Sequence, residues 1–268
     1  MTSLVQAWGG IRATLRTFGF ADIKVISGLA GFDLTSISNL EQAQDGGASK
    51  GHLLTGIDRG FGQMNDDERR QFTTILTEEI LARKPEALVQ LESELSRLGW
   101  TVIQGRLVPI QLLDRDDVRD ISEASSVEMV KAAQRFRDGD LSGAISAACG
   151  AVDMVTTKVY KEKGLGDPGS ASFQERCRKS FVATNAGDIL RNGLHEIGWE
   201  PDDSDMLAKN LAGALNQGAY IMQSLRSKMG DVHGTKPVVR TLVFDSIKWA
   251  LLLIRTIESG VATLEVEP

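Results

Sequence analysis

Apolar residues recur at three- and four-residue intervals through most of this chain, a periodicity that admits little besides packed helices. The clearest case is near the C-terminus, where Val239, Leu242, Val243, Ile247, Ala250, Ile254 and Ile257 make a stripe wide enough to face a core. Pro237 sits near the first turn expected for that helix and Gly260 marks its end. Asn65 followed by Asp66, Asp67 and Glu68 has the makings of a cap and acidic first turn, after which Phe72, Ile75, Leu76 and Ile80 share a face. Pro85 opens a further helix carrying Leu88, Leu91, Leu95 and Leu98, closed by Gly99. Helices are also expected over residues 4–18, 21–29, 50–61, 127–137, 141–161, 173–183 and 188–197, with a long one from Ser204, as its cap, to about Arg226. Residues 42–49 have loop composition. Only residues 100–104 and 107–113 suggest strand, as a hairpin about Gly105-Arg106 whose second strand Pro109 pushes to an edge.

The expected fold class is mainly α. A small helical module spans 1–99, a hairpin and acidic linker 100–124, and a helical bundle 125–268, with short helices inserted before the third of four long ones. The hairpin is also placed to cap the C-terminal bundle. No apolar run reaches the roughly 18 to 20 residues of a membrane span, and no secretory signal is visible, so a cytoplasmic protein without a membrane role is expected. Cys149 and Cys177, the two cysteines, lack the spacing of a zinc motif or disulfide framework and read as buried thiols; neither a metal nor a cofactor is expected. The net charge of −6 excludes a protein that grips nucleic acid over its whole surface, but leaves room for one basic groove.

Chemistry has few carriers. Of three histidines, His52 follows a glycine at a helix start and lacks an obvious partner, while His195 lies one helical turn after Arg191. His233 is better placed. It stands between the two longest expected helices, flanked by Gly230 and Gly234, with Arg226, Lys228, Lys236 and Arg240 around it against Asp231. A positive pocket at a helix start suits phosphate, because unpaired backbone N–H groups point there. A solvated loop with an incidental histidine fits the spacing and charge equally well.

The run Leu225-Arg226-Ser227-Lys228-Met229-Gly230-Asp231-Val232-His233-Gly234 resembles the signature of the abortive-infection C-terminal family, approximately L-R-N-x-x-G-x-x-H-G. That family is similar to the wider HEPN group of helical domains, whose ribonucleases carry Arg, four to six residues, then His. Here six residues intervene. The segment Gly143-Ala144-Ile145-Ser146-Ala147-Ala148-Cys149-Gly150-Ala151-Val152-Asp153 is similar to the family's preceding helix, and the resemblance covers about residues 125–260. It implies a HEPN-like bundle and metal-independent RNA cleavage, in which a 2′-hydroxyl attacks the adjacent phosphate and expels the next nucleotide's 5′-oxygen, leaving a 2′,3′-cyclic phosphate and a free 5′-hydroxyl. His233 would be the general acid or base and Arg226 the phosphate clamp, with Lys228, Lys236 and Arg240 binding substrate. It also implies a homodimer and a toxin-like role in antiphage defence, the N-terminal module docking a partner or sensing a ligand. Ser227 departs from the family's polar Asn, Asp or His, and favours the alternative of a non-catalytic module that binds RNA, a nucleotide or a protein.

Overall fold

In the computed structural model, which describes residues 4–40, 48–231 and 236–264 (side chains to 259), the chain divides into two units, residues 1–111 and 112–268. The first begins with a 3-10 turn, Leu4–Ala7, and continues through α1 (Trp8–Leu15), α2 (Phe20–Leu29), α3 (Lys50–Gln63), α4 (Asp66–Arg83) and α5 (Leu88–Ser96). Asn65 closes a capping box with Glu68 at the start of α4, and Ser49 caps α3. The centre is aromatic: the Trp8 ring stacks on Phe61 at 4.7 Å between centroids, with Phe72 tilted against both. Trp8 is anchored at its polar edge, because Asp58 accepts from its Nε1 (3.2 Å) while pairing with Arg12 (2.7 Å). The loop expected over 42–49 falls mostly outside the described residues.

The hairpin is shorter than its sequence suggests, and its turn falls at Gln104-Gly105, with Arg106 already in the second strand. Strands β1 (Trp100–Ile103) and β2 (Arg106–Pro109) pair antiparallel, with Trp100 opposite Pro109 and Ile103 opposite Arg106. Gln104 and Gly105 at the turn both take positive φ, at 52° and 73°, the mirror-type geometry a two-residue hairpin requires. Trp100, Val102 and Leu107 belong to the first unit's own hydrophobic cluster. The hairpin therefore completes the core of the N-terminal unit, rather than standing between modules.

The second unit is a helical bundle built on α8. Residues read as linker are helical: α6 (Arg115–Arg119) starts with a reciprocal capping box between Asp114 and Asp117, and α7 (Glu123–Arg137) starts at Ser122. The acids that suggested an open linker are cap residues. α8 (Leu141–Lys163) follows, capped by Asp140 and ended by Gly164 at φ 62°, and packs against α7, α9 (Phe173–Ala183), α11 (Pro201–Met229) and α12 (Arg240–Leu264). Its buried Ala144, Ala147, Ala148 and Ala151 let those neighbours approach closely. α10 (Ala186–Glu196) lies beside α11.

Two helix ends differ from expectation. α11 opens one turn earlier than Ser204, with Glu200 as cap and Pro201 at the first position, where the missing N–H does no harm. Ser204 is instead buried, its hydroxyl donating to the Glu200 carbonyl at 2.9 Å. α12 begins at Arg240, beyond Pro237, and continues through Gly260 to Leu264, since a single glycine weakens a helix without ending it.

Candidate functional site

Arg226 lies in the last turn of α11, where a cation faces the negative end of the helix dipole. Its guanidinium reaches across to α8 and donates from one Nη to Asp153 Oδ2 at 2.6 Å. The other oxygen of Asp153 accepts from Arg176 on α9. One carboxylate thus bridges two guanidiniums from different helices, leaving one positive charge in excess. Arg176 is the more enclosed, with 16% of its side chain exposed against 43% for Arg226, so Arg226 is the member that solvent or a ligand reaches. Burial pulls the Arg226 pKa down, but its hydrogen bond and charge pairing with Asp153 outweigh that and hold it above the ordinary value.

The chain leaves α11 through Gly230, which is buried and bonds back through its N–H to the Arg226 carbonyl at 3.0 Å. A methyl group on Gly230 would overlap that carbonyl. Asp231 is then fixed from two sides. Ser146 on α8 donates to its Oδ1, and Arg135 on α7 donates to its Oδ2 at 3.2 Å. The Ser146 bond first, then Arg135, draws the Asp231 pKa below the usual carboxylate value. The backbone N–H of Lys236 donates to the Lys228 carbonyl at 3.0 Å, a closure at the end of α11.

The sequence-derived residues are distributed around this closure. Lys228 and Lys236 are joined through their backbones and are exposed, while Arg226, two residues before Lys228 on α11, turns its side chain to Asp153. Arg240, the first residue of α12, places its guanidinium 4.0 Å from the centre of the Phe136 ring on α7, a cation–π contact that orients it. His233 lies outside the described residues. His195 is exposed on α10, and Arg191, one turn before it, pairs with Asp188 and with Asp205 on α11. His52 is exposed, with its Nε2 3.1 Å from the Ser38 carbonyl oxygen.

Both cysteines are buried free thiols, each pushed up to about 12 by burial. Among the described residues no group of three or more His, Cys, Asp or Glu side chains is placed to hold a metal, and no helix is long and apolar enough to cross a membrane. Compared with protein-family models, curated proteins and solved structures, the chain shows no match.

Sequence reasoning about charge counted one acid, Asp231, near the basic cluster and missed Asp153, which is far away in the chain. A usable signal was present. Ser146, Cys149 and Asp153 recur on one face of α8, so two polar residues at that spacing on an otherwise alanine-rich packing helix have to be answered by groups on its neighbours.

Proposed function

We propose that the C-terminal unit is a metal-independent endoribonuclease effector of antiphage defence, acting through Arg226 and His233. The observation that carries the reading is the closure at the end of α11. It presents an accessible guanidinium in charge excess over Asp153, with Lys228 and Lys236 exposed in the same stretch of sequence that carries His233. A permanent planar cation at that position suits a scissile phosphate and the charge that develops on it. The imidazole would move the proton of the 2′-hydroxyl, which confines the chemistry to RNA. The resemblance of residues 225–234 to the abortive-infection signature supports the same assignment.

The test is incubation of the purified protein with RNA in the presence of a chelator. Products ending in 2′,3′-cyclic phosphate are expected from wild type, with activity reduced about 10²-fold or more in His233→Ala and in Arg226→Ala. Cleavage that survives both substitutions would reject this site.

A second reading is an RNA- or nucleotide-binding module without cleavage. The engagement of Arg226 by Asp153 favours it, as a phosphate has to compete with a carboxylate already in place. Saturable RNA binding by wild type and His233→Ala alike, without cleavage, would select it. Homodimerisation, and a defence partner for the N-terminal unit, belong to the same proposal. Sedimentation at several protein concentrations tests the dimer.

A further inference from the structure

The outward face of α11 lacks the charge that a solvated helix surface carries. From Asn210 to Leu225 the sequence has no charged residue, yet on that face Met206 is 59% exposed, Tyr220 52% and Ile221 48%. The buried side of the same helix is a separate stripe, Ala208, Leu215, Ala219 and Met222. On the outer side Met206, Asn210, Gly213, Gln217 and Tyr220 recur at alternating intervals of four and three, the spacing of a seam between two helices. Leu207, Ala214 and Ile221 run beside them one heptad apart, and all of these positions are exposed.

Nothing within the chain explains Gly213. A methyl group there would meet no atom within 4 Å, and glycine costs a helix interior about 1 kcal/mol relative to alanine. Gly218, on the inner side, has the Trp249 ring against it, whereas the space over Gly213 is open. The face is also self-complementary. About a twofold axis between Gly213 and Ala214, with two copies antiparallel, Met206 comes opposite Ile221, Leu207 opposite Tyr220 and Asn210 opposite Gln217. Large apolar residues meet at both ends, amides face each other inside them, and the small pair at the centre lets the backbones close. Charge at the helix ends selects the same direction. Asp203 in the first turn and Lys228 in the last are exposed and without an ion pair among the described residues. Antiparallel copies bring them within about one helical turn of each other, while parallel copies set acid beside acid.

We propose that α11 pairs antiparallel with α11 of a second copy of this chain, along the seam centred on Gly213 and Ala214. The inference rests on the homodimer proposed above, whose face it specifies, and needs no role for Arg226 or His233 in cleavage. Each Arg226 lies roughly 19 Å along the helix from the twofold axis, so the two closures act separately.

Sedimentation equilibrium of the full chain, without RNA, should show a dimer. Gly213→Arg should raise its dissociation constant about 100-fold or more, because it sets two cations against each other at the axis. The new side chain enters open space on the monomer, so far-UV circular dichroism should match wild type. Register is read by cross-linking with smaller changes. On mild oxidation a mixture of Asn210→Cys and Gln217→Cys chains should form covalent dimers, and neither variant should do so alone; the native cysteines are buried. A monomer at every concentration would overturn both the seam and the dimer. A dimer indifferent to Gly213→Arg, a mixture that does not cross-link, or a variant that cross-links with itself would overturn the seam and leave a homodimer through another face.

Discussion

Asp153 shows how much one side chain can hold. It joins α8 to both α9 and α11, and its two arginines are unequally exposed. Losing Arg226 leaves the carboxylate still paired, so Arg226→Ala should cost no more than about 1 kcal/mol, in the range of an exposed ion pair. Losing Asp153 strands Arg176 in a nearly enclosed position. Asp153→Asn should therefore destabilise more, by about 1 to 3 kcal/mol, a discount on the fully buried case. Urea unfolding of the two variants checks the order. Asp231 makes a separate prediction about acid. Its folded pKa is depressed, so the stability it contributes is complete above its unfolded value of about 4 and is lost as pH falls through the lower folded value. Thermal midpoints measured from pH 6 downward should fall less steeply for Asp231→Asn than for wild type.

Between elements, close approach decides more than propensity does. Gly218 on α11 faces the Trp249 indole on α12, and a methyl group there would overlap the ring. Gly218→Ala should destabilise the protein by about 1 to 3 kcal/mol despite alanine's better helix propensity, because overpacking outweighs a propensity gain near 1 kcal/mol. A melt of that variant decides which effect wins. The same contrast explains what was legible beforehand. The stripe of α12, the cap at Asn65 and the turn at Gly105 are local patterns, and local physics writes them into neighbouring residues. The bridge from Asp153 to Arg226 spans 73 positions, and no periodicity announces it. The acidic stretch after Asp114 misled for the opposite reason: cap residues and linker residues share a composition, and only the reciprocal bonds between Asp114 and Asp117 tell them apart.

At the level of the molecule, each unit contains its own apolar interior. The first is centred on Trp8, Phe61 and Phe72, the second on the alanine face of α8 with Val243, Ile247 and Ile254. A fragment of residues 1–111 should therefore unfold cooperatively by itself, and a circular-dichroism melt without a sigmoidal transition would contradict that. Glu258, near the end of α12, accepts from the Ser122 N–H and hydroxyl, both at 2.7 Å, and from the Ser125 hydroxyl at 2.9 Å, at the very start of α7. During biosynthesis that carboxylate emerges 136 residues after the serine it clasps, on the order of ten to thirty seconds later at ordinary elongation rates. Until then the nascent bundle waits unfinished, its hydrocarbon face open to chaperones, while the portion translated earlier already has everything its interior needs.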